Sequence, residues 1–219
     1  MPIPARPAAL ALAALTVAWT GDLEHPAASA PGLTGTLKRA AATRDAPAWL
    51  AAAVCARAPE LAEGCAPVAG AISEEATQAR LDPLRVLAIV EVESGWDPLA
   101  VSSRGARGLM QLRRPTLARE ARRSRLASSE PHDPVANVRA GIRYYARLVR
   151  VFGDPDLALV AYNAGPNRLL AHLRAGKGVP ARLLDYPRRV RAAERRLRDA
   201  LGRPDAILAL GGPAHARPD

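Results

Sequence analysis

The chain has 219 residues, enough for one domain with a sizeable core plus extensions. It is 49% hydrophobic, mostly Ala and Leu, with almost no strand-forming alternation, so the fold class expected is all-α. A net charge of +10, nearly all of it arginine, suits attraction to an anionic polymer or reflects an Ala- and Arg-rich compositional habit. No basic patch is interleaved with aromatics, which argues against nucleic acid as a partner.

Residues 1–30 read as a signal peptide. Arg6 precedes the apolar run Ala8–Trp19, which is too short to span a bilayer comfortably, and Ala28-Ser29-Ala30 has the small residues of a cleavage site. Pro31 sits awkwardly after it, so cleavage nearer Trp19 and an uncleaved leader are the alternatives. No cysteine follows the run, which argues against a lipid anchor. The expected location is periplasmic or exported to the cell envelope. Residues 31–47, small, polar and proline-bearing, read as a linker.

Residues 48–69 form a helical lead-in. Ala48–Ala58 and Pro67–Leu81 both read as helices, and an exported chain with Cys55 and Cys65 would bridge them, contributing about 2–3 kcal/mol. Two free thiols are the competing reading. A metal site is weaker still, because His25, His132, His172 and His215 show no ligand spacing.

Asp82-Pro83 is a helix-start signal, and the apolar run Val86–Val90 then carries the helix to Glu91 and Glu93. Apolar neighbours raise a carboxyl pKa, so an acid at the end of such a helix can hold a proton near neutrality and protonate a glycosidic oxygen. Glu91 and Glu93 lie two apart and point to different faces, so only one can meet a substrate.

The stretch Glu93–Gln111, ESGWDPLAVSSRGARGLMQ, resembles the soluble lytic transglycosylases, the goose-lysozyme-like peptidoglycan enzymes. Asn137–Tyr145 (NVRAGIRYY) and Ala161–Gly165 (AYNAG) are similar to that family's next two motifs, in the right order, and the resemblance covers about residues 70 to 190. It implies a lysozyme-like catalytic domain over residues 70–201, with 202–219 as a flexible tail. It implies Glu93 as the catalytic acid, since the family's acid is followed directly by serine. Glu91 is then a solvated or salt-bridged helix residue.

The substrate-binding residues implied are Ser102, Met110, Gln111, Tyr162, Asn163 and Tyr186. Ser102 falls where a serine bonds the acid or the substrate. Gln111 carries donor and acceptor and can read an N-acetyl group. Met110 is core or cleft wall. Tyr162 lies beside the acid in the family, its hydroxyl holding the carboxyl or the sugar's N-acetyl group; the alternative is a core tyrosine with a satisfied hydroxyl. Asn163 helps fix the loop that follows. Gly105 and Gly108 serve either close backbone approach to a sugar or tight turns and packing, and Asn137 and Gly141 read as structural.

The chain also departs from the family. Arg113-Arg114 stands where methionine usually follows, either pairing with an anionic lactyl-peptide group or pointing to solvent. The family's Glu-Thr pair before its last tyrosine is missing ahead of Tyr186, which puts the far end of the cleft in doubt.

A glycosidase normally uses two carboxylates, and a single good candidate is found here, since Asp97 before Pro98 suits a turn. One acid, no cofactor and no metal is what the resemblance implies, with peptidoglycan glycan strands as substrate. A lysozyme-like hydrolase on the same scaffold and a non-catalytic peptidoglycan-binding or secretion-apparatus accessory remain as alternatives, with secretion, conjugation or cell-wall machinery as a further partner. A monomer is expected.

Overall fold

The computed structural model describes residues 46–59, 61 and 64–201. The leader, nearly all of the linker and the tail beyond Leu201 lie outside the described residues. The expected all-α class holds: α1 (Ala48–Arg57), α2 (Ala66–Ala79), α3 (Pro83–Ser94), α4 (Arg114–Ser124), α5 (Pro134–Phe152), α6 (Pro155–Ala164), α7 (Pro166–Arg174) and α8 (Asp185–Leu201). A 3-10 turn, Ala181–Leu183, precedes α8. A short antiparallel ribbon departs from that expectation. In it β1 (Ala106–Arg107) pairs with β2 (Leu112–Arg113), Ala106 opposite Arg113. Two-residue strands are too short to leave a periodic signature.

Asp-Pro dipeptides start α3, α5 and α6. The carboxylates of Asp82, Asp133 and Asp154 accept from Leu84 N at 2.9 Å, Ala136 N at 3.0 Å and Asp156 N at 2.7 Å, while proline occupies the first turn, where no N–H is needed. Helix α6 accordingly starts at Pro155. Gly95, at φ 59°, ends α3 in the left-handed region that a side chain resists.

The buried face of α3, Val86 to Val90, is wholly enclosed and lies at the centre of the core. Helix α8 packs along α3, α5 packs against α2, α4 and α6, and α1 packs on α2. Cys55 and Cys65 form a disulfide, with Cα atoms 4.9 Å apart, tying α1 to the start of α2. No described helix is long and apolar enough to cross a membrane.

Candidate active site

Glu93 sits in the last turn of α3, half-buried. Burial pushes its carboxyl up to about 7, against the Tyr186 hydrogen bond and the Arg189 charge, which both pull it down. Tyr186 Oη donates to Glu93 Oε1 at 2.6 Å. Among the described residues Oε2 has no partner, so it is the oxygen left to carry a transferable proton. Glu91, on another face, pairs with Arg196 at 2.9 Å and Arg57 at 3.8 Å. Asp97 is exposed and accepts from Leu99 N at 2.8 Å, as a turn residue does.

The chain bends away from α3 through two left-handed residues, Gly95 and Trp96 (φ 72°). Ser94 secures the bend. Its hydroxyl donates to Leu109 O at 2.9 Å, or to Val90 O at 3.2 Å, and accepts from Trp96 N at 3.1 Å. The serine beside the acid thus clamps the returning loop to the end of α3. Its position in the Glu-Ser pair was the available signal.

Asn137, fully buried on α5, holds the other side of that loop. Its Oδ1 accepts from Met110 N at 2.8 Å, and its Nδ2 donates to Arg107 O at 3.0 Å and Pro131 O at 2.9 Å. Gly108 (φ 74°) makes this approach possible, since a Cβ there would lie 2.4 Å from Pro131 O and 2.5 Å from Asn137 Nδ2. Gly108 therefore serves packing rather than contact with a sugar. Gly105 is a turn glycine facing open space.

Several substrate-binding expectations change. Met110 is fully buried, its side chain pressed against Gly141, where a Cβ would come within 2.3 Å of its sulfur. It is core, not a contact for substrate. Gln111 spends both amide protons on Ala100 O and Gly108 O, each at 3.0 Å, so only its side-chain oxygen is free to read a ligand, as an acceptor. Tyr162 is close enough for the Glu93 charge to raise its pKa further, on top of burial, yet its hydroxyl donates to Met110 O at 2.8 Å rather than to the acid. The tyrosine that grips the acid is Tyr186, 2% exposed and so not a substrate contact.

Ser102 Oγ accepts from Ala106 N at 3.0 Å, closing a turn, and makes no hydrogen bond to Glu93. Its half-buried hydroxyl retains a proton to donate. Asn163 is exposed at the end of α6 and its side chain has no hydrogen bond among the described residues, so it does not fix the following loop through one. Arg113 points to solvent. A cavity of about 650 Å³ lined by Glu74, Arg123, Arg125, Asp133, Arg139 and Arg143, among others, contains none of these site residues. Among the described residues no group of three or more His, Cys, Asp or Glu converges as metal ligands would.

Comparison with known proteins bears on this half-buried acid with one oxygen held and one free. Residues 70–183 match the family described as the transglycosylase SLT domain. The chain belongs to that family. A transglycosylase of Enterobacteria phage PRD1 is 34% identical over 97 residues, which are 44% of this chain and 34% of the phage protein. The 70-kDa soluble lytic transglycosylase of Escherichia coli superimposes with TM-score 0.54 at 25% identity, covering 63% of this chain and 25% of the larger one. The lytic transglycosylase Slt of Pseudomonas aeruginosa, solved as an inactive mutant, gives TM-score 0.52 at 25% identity over 62% of this chain and 24% of its own. The SLT chain described here thus spans about a third of the phage relative and a quarter of these solved structures.

Proposed function

We propose that this protein is a peptidoglycan lytic transglycosylase that breaks the β-1,4 bond between N-acetylmuramic acid and N-acetylglucosamine without water. The reading is carried by the isolation of Glu93. Its carboxyl is held near pKa 7 by burial, tyrosine and arginine, with no second carboxylate among the described residues acting on it. A retaining or inverting glycosidase keeps a partner acid within about 5–10 Å, close enough for the two to feel each other. A lone acid must instead serve twice.

In the first step Glu93 gives its proton to the glycosidic oxygen, and the bond to C1 of the muramoyl sugar breaks. The substrate's own N-acetyl oxygen stabilises the positive charge at C1. The carboxylate then takes the proton of the C6 hydroxyl as that oxygen closes on C1, giving a 1,6-anhydromuramoyl end. Proton count and electron pairs balance, and Glu93 ends as it began. A pKa near ambient pH suits a group that must be acid and base in turn. The Gln111 side-chain oxygen, the Ser102 hydroxyl and exposed Asn163 are the polar groups free to contact the sugar. The +10 charge favours adsorption to an anionic wall, and the leader-like residues 1–30 support a location in the cell envelope. Local opening of the wall for a secretion or conjugation machine would use the same chemistry.

The test is digestion of purified peptidoglycan by the protein lacking residues 1–30, with muropeptides read by mass spectrometry. Products one water lighter than hydrolysis products, absent with Glu93→Gln, are expected. Reducing ends would instead mean a hydrolase, and binding without release a wall-binding accessory.

A further inference from the structure

Arg189 stands one turn beyond Tyr186 on α8, so the two side chains share a face. Its guanidinium lies 5.8 Å from the centre of the Tyr186 ring, the same ring whose hydroxyl donates to Glu93. Neighbouring arginines on α8 are engaged elsewhere: Arg188 with Asp185, Arg191 with Asp156, Arg196 with Glu91 and Arg198 with Asp82 and Glu194. Arg189 is exposed and has no carboxylate within ion-pair distance among the described residues.

We propose that Arg189 is a positioning residue for the acid, acting on Glu93 through the Tyr186 ring and by its own charge, so that the glutamate can return from acid to base within one turnover. This deepens the transglycosylase reading and rests on it.

The physical case is a balance of fields at one carboxyl. The titratable and charged groups that face Glu93 are Tyr186 and Arg189 from α8 and Tyr162 from α6; the loop between α3 and α4 adds none, and Glu91 on α3 itself is turned to Arg57 and Arg196. Both tyrosines are neutral, their pKa values raised well above the ordinary phenol range by burial and by the Glu93 charge. Among the described residues Arg189 is thus the one full charge opposing burial at Glu93. A cation against the ring also makes the phenolic O–H a better donor, which favours the ionised carboxyl to which it is bonded. Without Arg189, the carboxyl would hold its proton to higher pH. It would be slower to release the proton to the leaving sugar and slow to regain the ionised state from which it deprotonates the C6 hydroxyl.

The experiment follows Glu93 directly, by carbon NMR of its side-chain carboxyl in the free protein across pH, for the wild type, Arg189→Ala and Arg189→Lys. The pH profile of peptidoglycan cleavage is measured in parallel. The alanine variant should move the Glu93 titration, and the alkaline limb of the profile with it, upward by about half a pH unit, the scale of a partly screened surface charge. Lysine should restore most of the shift, and high salt should move the wild type toward the alanine variant. An unchanged Glu93 titration in Arg189→Ala overturns the proposal, whatever the activity does. A shifted titration in a protein that releases no muropeptides would leave Arg189 coupled to Glu93 and count against the transglycosylase reading alone.

Discussion

At the scale of single residues, the Glu93 carboxyl is held in an environment that disfavours its charge, and this has a cost that can be measured. Its folded pKa of about 7 lies above the ordinary 4.5. Between those two pH values the native protein therefore binds more protons than the unfolded chain, and its stability falls as pH rises. The loss from this group is complete above pH 7 and amounts to about 3 kcal/mol. Glu93→Gln removes the charge but keeps the shape and the acceptor for Tyr186. Thermal melts should show this variant more stable than the wild type at pH 8 and equal to it at pH 4, while peptidoglycan cleavage is lost. Tyr186→Phe should act in the opposite sense to a supporting donor. Without the hydroxyl at 2.6 Å, burial is less opposed and the Glu93 titration moves up. Cleavage at pH 7 should fall roughly 10- to 100-fold, the scale of one charge-assisted hydrogen bond. Retention of full activity would show that Tyr186 does not hold the acid.

At the scale of elements, the site depends on α5 as well as on the helix that carries the acid. Asn137 satisfies the Met110 N–H and two carbonyls from separate segments inside a dry interior. Asn137→Ala would strand all three, at a cost of about 3 kcal/mol, and release the loop that bears Gln111. Denaturant unfolding should report the loss, and cleavage should fall with it. The same helix carries Arg139, Arg143 and Arg147 at intervals of one turn, paired with Glu74 and Glu75 on α2 and with buried Glu120 on α4. Glu120→Ala leaves Arg147 without its partner and should destabilise by about 3 kcal/mol. Glu120→Leu with Arg147→Met should recover most of that, because removing both charges also removes their desolvation. How much of this was legible follows the same division. Asp-Pro starts, glycine ends and the apolar run of α3 are local signals, so helices and the position of Glu93 could be read directly. The hydrogen-bond choices of Tyr162, Tyr186 and Gln111 depend on which carbonyl or carboxylate a distant segment brings near. The family resemblance therefore placed these residues around the acid but left the bond of the Tyr162 hydroxyl open, and it is Tyr186 that donates to Glu93. Met110 stayed open between core and cleft wall because nothing local records that Gly141 opens a slot for it.

At the scale of the whole molecule, the family match begins at residue 70, yet the acid-bearing helix is also braced from outside that segment. Glu91, on another face of α3 from Glu93, bonds Arg196 of α8 and pairs with Arg57 of α1. Arg57 in turn caps its own helix by donating to Ala53 O at 2.9 Å. The Cys55–Cys65 bridge closes the connection between α1 and α2. It therefore fixes the brace and not the active site, and the two effects separate in a single experiment. A disulfide closing so short a loop contributes about 2–3 kcal/mol, chiefly by limiting the unfolded chain. Reduction, or replacement of both cysteines by alanine, should lower the melting temperature by about 5–10 °C for a domain of this size. The folded protein at 25 °C should keep its rate of peptidoglycan cleavage and its Glu93 titration, because the bridge ties α1 to the start of α2, whereas Glu93 and Tyr186 lie on α3 and α8. A bridge of that kind forms and persists in an oxidising compartment, where the substrate proposed for Glu93 is also found. Loss of cleavage in step with loss of the bridge, in protein that remains folded, would instead mean that α1 reaches the acid through Arg57 and Glu91, and that the lead-in is part of the catalytic unit.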